Sequence, residues 1–377
     1  MSATKKTSGK KSEEIGFGVV GLGNIGPWHR DAIQKATGAR LVAVCDINEP
    51  RAKQVAAESG KGIRAYKCIS DMLNDDEVQA VSICTPSGMH AMHAIQCMDA
   101  GRHILCEKPM DIELCKIDAM IEASKRNNVK LAGIFQRRTW ASSNKAREAV
   151  RTGKLGKLVV GDCYQKYFRS HEYYASGAWR ATWELDGGGC LMNQGVHGID
   201  LLLYVMGDVK RVSAFARRLT RNIAVEDTAV AIVEFVNGAV GVIEGTTSVT
   251  PGYGCDLEVH GELGSIKLSE DRITAWDIPG DVAAEASDGE GGAGTAADPL
   301  AGLSIYGHIQ HVTDLAAAIR ENREPMIPGS EARRAVEVIK AIYKSSREGG
   351  APIELPLSYE DDGPGIEPSI NQRYMDW

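Results

Sequence analysis

The run IGFGVVGLGNIG, residues 15–26, restricts this chain to few folds. A short apolar β-type stretch leads directly into Gly21-x-Gly23-x-x-Gly26, and residues 27–38 read as a helix closed by Gly38. Strand, glycine turn and helix in that order form the phosphate-binding corner of a dinucleotide site. The first glycine permits the tight turn, the second lets backbone approach a pyrophosphate, and the third lets the helix pack close to the strand. Asn24 and Ile25 lie on the same turn and are assigned to the cofactor with the three glycines. The next apolar run ends at Asp46, twenty residues beyond Gly26, where a carboxylate accepts hydrogen bonds from the adenosine ribose hydroxyls. That carboxylate repels a 2′-phosphate across little solvent. The expected cofactor is therefore NAD, with NADP less favoured; Arg51, close in sequence, keeps NADP open.

Beyond Asp46, strand-like and helix-like stretches alternate to about residue 135. This predicts a doubly wound parallel sheet, an α/β Rossmann domain over 15–136. Ligands of such sheets sit beyond the carboxyl ends of the strands, and two loops there carry chemistry: CTPSGMH (84–90) and CEKPM (106–110). Lys108 has two readings, a surface lysine in a turn or an ammonium that stabilises a developing substrate alkoxide. At 377 residues the chain exceeds the roughly 250–300 residues of a single core, so a second domain is expected over 137–359. Its β-type runs, joined by short turns, predict an open, predominantly antiparallel sheet in an α+β domain. Residues 1–14 and 360–377 lack a core pattern and read as tails. The small-residue stretch 280–302 reads as a mobile loop, with a substrate lid as the alternative.

The segment GGGCLMNQGVHGIDLL (187–202) reads as a helix entered through three glycines. Four-residue spacing places Asn193 and His197 on one face, with Asp200 three residues on. Polar residues on so apolar a helix need partners or a task; His197 is either a satisfied core histidine or a general base. In the irregular run before the glycines, Trp179 and Arg180 suit stacking on a pyranose and contacts to hydroxyls, or Trp179 plugs the domain interface. Arg137 and Arg138 reach toward the site or form salt bridges. His308 and His311 lack a companion Cys or carboxylate cluster, so no metal is expected. A net charge of -7 offers no field for nucleic acid or anionic membrane. Nine scattered cysteines suit a reducing cytosol. With no signal peptide and no apolar run near the ~20 residues of a span, the expected location is cytoplasmic.

Taken in order, VVGLGNIG, CDI, TPSGMH, CEKPM and GGGCLMNQGVHGIDLL resemble the glucose–fructose oxidoreductase/inositol dehydrogenase/rhizopine catabolism (GFO/IDH/MocA) family, over roughly residues 15–355. The resemblance implies a C-terminal sheet facing the nicotinamide and NAD(P)-dependent oxidation or reduction of a sugar, cyclitol or small polyol. It makes Lys108 and His197 the catalytic pair, with Asn193 beside them. It places Thr85, Ser87, His90 and Glu107 along the cofactor, makes the Lys108–Pro109 bond cis, and implies a homodimer or homotetramer through the outer face of the second sheet. Inositol dehydrogenase-like members carry Asp where Asn193 stands. Asn orients a hydroxyl but neither relays a proton nor stabilises an imidazolium by charge, which leaves Asp200 or a substrate oxygen to assist His197. MNQGVH with Trp179-Arg180 upstream resembles members acting on pyranosides or nucleotide sugars. The expected function is hydride transfer between nicotinamide and a secondary ring hydroxyl or ketone of a pyranose or pyranoside, C3 among the candidate positions. Lys108, Trp179, Arg180, Asn193 and His197 are the expected substrate contacts. The alternatives are a nucleotide-sugar 3-dehydrogenase, an inositol dehydrogenase, and an NAD-binding regulatory protein on the same scaffold.

Overall fold

The computed structural model describes residues 14–282 and 304–358. The expected tails, apart from Glu14, and the 280–302 loop beyond Val282 lie outside the described residues. Strands β1 (Ile15–Val20), β2 (Ala39–Cys45), β3 (Arg64–Tyr66), β4 (Ala80–Ile83), β5 (His103–Cys106) and β6 (Leu131–Gly133) form one sheet in the order β3-β2-β1-β4-β5-β6. Every pairing in it is parallel. Helices α1 (Gly26–Lys35), α2 (Glu49–Ser59), α3 (Ile69–Leu73), α4 (His90–Asp99) and α5 (Leu114–Arg126) make the crossovers. All residues of β1 and β4 are buried, because helices cover both faces; hence these strands read as continuous apolar runs. The order reverses between β1 and β4, which opens a crevice at their carboxyl ends.

After α6 (Ala141–Arg151) come β7 (Leu158–Lys166), the short α7 (His171–Ala175) and α8 (Val196–Met206). Then follow β8 (Val209–Arg217), β9 (Thr228–Phe235), β10 (Val240–Thr246), β11 (Gly254–Gly261), β12 (Ser265–Ser269) and β13 (Arg272–Asp277). Helices α9 (Tyr306–Glu321) and α10 (Gly329–Arg347) precede β14 (Ile353–Glu354). The second sheet runs β13-β12-β11-β7-β10-β9-β8-β14 and is antiparallel except where β7 meets β10. Its inner face packs on α8 and α10, with Val196, Ile199, Val338 and Ile342 in one core with Ala231 and Val233. Its outer face leaves Phe215, Val230, Ile232 and Val240 exposed. Helix α9 returns to the first sheet, where Val312, Leu315 and Ala316 share a core with Phe17, Val19 and Ile33. Among the described residues no helix is long and apolar enough to cross a membrane.

The helix expected from Gly187 differs in one respect. Residues Cys190–Gly195 wind as a π-helix, and α-helical geometry begins only at Val196. The buried Glu226 clamps the turn from below. Its carboxylate accepts Gly189 N–H at 2.8 Å, Leu191 N–H at 3.0 Å and the Tyr343 hydroxyl at 2.7 Å, and its carbonyl accepts Cys190 N–H at 3.0 Å. Only glycine admits this approach, since a Cβ at 189 would lie 1.8 Å from Glu226 O. Burial pushes the Glu226 carboxyl up to about 7. Glu226→Ala strands three buried donors at about 1–3 kcal/mol each. It should lower unfolding stability by about 3 kcal/mol or more in a denaturant titration, whereas Glu226→Gln should lose less. An alanine variant with the wild-type midpoint would contradict the clamp.

Candidate active site

A cavity of 1420 Å³ opens at the carboxyl ends of β1, β4 and β5 and extends to the π-helical turn. Its wall includes Gly21, Gly23, Asn24, Ile25, Asp46, Thr85, Ser87, His90 and Glu107 toward the first sheet, and Lys108, Trp179, Arg180, Asn193 and His197 toward the second. Every expected site residue except Gly26 thus borders one space, larger than the ~300–1,000 Å³ of a single-ligand pocket. Gly26 lies behind the wall, where a Cβ would meet Gly21 O at 2.2 Å; its role is close packing of α1. Gly21 has φ 89° and turns over Cys84, whose carbonyl oxygen a Cβ would meet at 2.7 Å. Gly23 faces open space, with nothing within 4 Å of a built Cβ. Helix α1 starts without a side-chain cap. An open glycine turn before an uncapped helix N-terminus fits a dinucleotide pyrophosphate. Asp46 accepts Leu22 N–H at 2.7 Å and Asn48 N–H at 2.8 Å, which holds its carboxylate beside that turn.

The two chemically loaded loops are braced from behind. His90 is buried, and its ring nitrogens lie 2.8 Å from Thr85 O and 2.8 Å from Pro109 O. Its ring therefore ties the loop after β4 to the loop after β5, whose Lys108–Pro109 bond is cis. Glu107 Oε1 lies 2.8 Å from His29 Nε2 and 3.3 Å from His308 Nε2, and Oε2 accepts Lys108 N–H at 3.1 Å. Burial opposes ionisation of Glu107, but the bonds from His29 and His308 prevail and hold it well below the usual carboxylate range. Burial lowers the pKa of His29. The ligand atoms of His29, Glu107 and His308 lie within 4.8 Å of one another, a spacing that could hold a metal. Yet Nδ1 of both histidines is buried with no partner among the described residues, whereas a metal-bound histidine ordinarily donates from its other nitrogen. The three groups read as a hydrogen-bonded brace for Glu107. His311 accepts Phe135 N–H at 3.3 Å instead.

At the other end, Lys108 Nζ donates to Asn193 O at 2.8 Å. Burial lowers the Lys108 pKa against the opposing pull of Glu107 and Asp186. His197 stands edge-on to Phe135, ring centroids 6.1 Å apart. Its Nδ1 is buried without a partner among the described residues, which leaves Nε2 for the cavity. Burial, then the Lys108 and Arg137 cations, hold its pKa well below 6.5. Asp200 does not assist His197: both arms of Arg138 take its carboxylate, at 2.6 and 2.8 Å. Arg137, next in the chain, does line the cavity and donates to the Tyr167 hydroxyl at 2.7 Å. Arg180 stacks on both Trp179 and Tyr173, each centroid 4.6 Å from its guanidinium carbon.

Four residues join these without having been singled out by sequence: Asp186, Tyr173, Gln194 and Arg169. Asn193 Nδ2 donates to Asp186 at 2.7 Å, while Gln194 and the Tyr173 hydroxyl donate to Asn193 Oδ1 at 2.8 and 3.2 Å. Arg169 donates to Gln194 at 2.8 Å. The aromatic and basic run 169–186 was the available signal for three of them; Gln194 had none beyond its neighbours.

In comparison with known proteins, residues 15–135 match an oxidoreductase family with an NAD-binding Rossmann fold, and residues 143–267 match the GFO/IDH/MocA C-terminal domain. The chain is 31% identical over 277 residues to myo-inositol 2-dehydrogenase of Thermotoga maritima, covering 70% of this chain and 79% of that one. It is 27% identical over 359 residues to scyllo-inositol 2-dehydrogenase (NAD(+)) of Bacillus subtilis, covering 91% and 97%. The WlbA dehydrogenase from Bordetella pertussis, solved with NADH and UDP-GlcNAcA, has a TM-score of 0.80 at 30% identity, covering 92% of this chain and 100% of that one.

Asp46→Ala removes the acceptor placed for the ribose hydroxyls. A charged hydrogen bond is worth about 1.5–3 kcal/mol, so the Kd for NAD should rise about tenfold or more, and that for NADP by less. Equal losses in fluorescence titrations with both nucleotides would contradict the assignment.

Proposed function

The chain belongs to the GFO/IDH/MocA oxidoreductase family, and from that membership we propose an NAD-dependent dehydrogenase or reductase of a secondary ring hydroxyl on a pyranose or pyranoside. The observation that carries this reading is the shared cavity, in which the glycine turn and Asp46 border the same space as Lys108, Asn193 and His197. NAD, when bound, supplies the hydride acceptor for alcohol oxidation. Gly21–Gly26 and Asp46 hold it, and Thr85, Ser87, His90 and Glu107 border its place. The Lys108 ammonium faces the reacting oxygen and stabilises the alkoxide as it develops. His197, neutral at pH 7, accepts the hydroxyl proton at Nε2 and returns it in the reverse direction. Asn193 orients the ring, and Trp179 with Arg180 covers its apolar face. Residues 15–136 serve the cofactor, and 137–359 the substrate and assembly, with α9 crossing back.

A larger, anionic substrate is the second reading. Arg169 and Arg180 converge on Tyr173, 5.6 and 4.6 Å from its ring centroid, and the 1420 Å³ cavity exceeds the ~300–1,000 Å³ of a single-ligand pocket. Both features suit a nucleotide sugar, the kind of ligand that WlbA holds. A homodimer or homotetramer would cover the outer face of the second sheet, where Phe215 pairs with Val230 and Ile232 with Val242. Buried cysteines such as Cys45, Cys84, Cys97 and Cys106, free in the structure, suit a cytoplasmic location.

His197→Ala should lower kcat by about 10²–10⁴-fold with an unchanged Kd for NAD; a near-normal rate would sink the assignment. Because the folded pKa of His197 lies below 6.5, the imidazole gains its proton only at lower pH. The acid limb that His197 gives to kcat/KM for oxidation should therefore fall below pH 6.5, and one above pH 7 would contradict a depressed His197. Ile232→Glu should reduce the mass measured by light scattering to that of a smaller assembly, and an unchanged oligomer would move the interface elsewhere.

A further inference from the structure

Asp186 immediately precedes the three glycines and is 2% exposed. We infer that it is a positioning residue of the substrate site, fixing the Asn193 amide and supplying the negative charge opposite Lys108 that Asn193 lacks. This rests on the sugar-oxidoreductase reading of the cavity and goes beyond it by naming a residue behind the wall.

An ionised carboxylate only accepts hydrogen bonds. The 2.7 Å contact from Asp186 Oδ1 therefore requires the NH₂ of Asn193, an orientation that shape alone does not decide. Asn193 Oδ1 then points the other way, where Gln194 and Tyr173 donate to it. The Asn193 amide is thus held at both ends, its nitrogen by Asp186 and its oxygen by Gln194 and Tyr173. The second oxygen of Asp186 accepts Ala181 N–H at 2.8 Å. Ala181 has φ 55°, a left-handed conformation that a non-glycine residue keeps only when held. One carboxylate therefore fixes both Asn193 and the turn that carries Trp179 and Arg180.

The charged and titratable groups that face it are Lys108 from the loop after β5, Arg180 from the same turn, Tyr173 from α7 and Tyr343 from α10. Burial raises the Asp186 carboxyl to about 6 against the pull of its hydrogen bonds and of Arg180 and Lys108. Asp186 is thus ionised at pH 7 and loses its charge as the pH falls through about 6. Lys108 Nζ rests on the main-chain carbonyl of Asn193 and Asp186 on its side-chain amide, so this one residue holds contacts to both the ammonium and the carboxylate.

The test compares the full-length wild type with Asp186→Asn and with the exchange Asp186→Asn/Asn193→Asp. The Lys108 Nζ resonance, assigned with Lys108→Arg, is titrated by ¹⁵N NMR without ligand. Asp186→Asn should lower the Lys108 midpoint by about one pH unit or more, and the exchange, which returns a carboxylate to the pair, should bring it back. With a sugar that the wild type oxidises, kcat/KM should fall at least about tenfold in Asp186→Asn at unchanged NAD affinity and recover in part in the exchange. An unmoved Lys108 midpoint in Asp186→Asn overturns the proposal. Should that variant not fold, the wild type decides alone: its Lys108 resonance should show a second inflection near pH 6, and the absence of one overturns the proposal. A shifted midpoint in a wild type that oxidises no sugar would remove the sugar reading and leave the Asp186 pair standing.

Discussion

The 2.8 Å hydrogen bond from Lys108 Nζ to Asn193 O joins the two halves of the site. The lysine leaves the carboxyl end of a parallel strand that belongs to the cofactor sheet. The carbonyl sits on the π-helical turn that belongs to the antiparallel sheet. A half-buried ammonium needs acceptors, and this one finds its acceptor across the boundary. Two carboxylates secure the ends of the connection. Glu107, braced by His29 and His308, holds the lysine side, and Glu226, buried beneath the glycines, holds the turn. A substrate placed between them meets groups whose separation is set by packed cores rather than by loops.

Electrostatics follow from the same arrangement. Glu107 and Asp186 both favour the protonated form of Lys108 and work against the burial that disfavours it. Lys108 and Arg137 in turn disfavour a charge on His197, which burial already opposes. The neighbouring carboxylates thus favour an ammonium at Lys108, while the neighbouring cations favour a neutral imidazole at His197. That combination suits removal of an alcohol proton, because the cation stabilises the oxyanion while the imidazole is free to accept.

What the sequence made legible was local. The glycine turn, Asp46 and the alternating strands each announce themselves within some thirty residues, and the parallel and antiparallel sheets match the expectation. What it hid depends on partners far along the chain. The π-helix at Cys190–Gly195 is clamped by Glu226, 37 residues from Gly189. The brace on Glu107 comes from His308, 201 residues away. Asp200 shows the limit of helical spacing. Three residues from His197 it shares a face in projection, yet Arg138 claims it, while the adjacent Arg137 turns to the cavity. Periodicity tells which way a side chain leaves its helix, and only the tertiary fold tells which partner waits there.

The most direct test of hydride transfer from a ring carbon follows the transferred atom. The purified protein would be incubated with NAD and pyranosides, cyclitols and nucleotide sugars, each deuterated at its ring carbinol positions, and the NADH analysed by mass spectrometry. NADH carrying one deuterium from a secondary ring position of at least one of these compounds is expected. NAD that binds tightly and stays oxidised with all of them, or NADH formed without the label, would contradict transfer from a ring carbon.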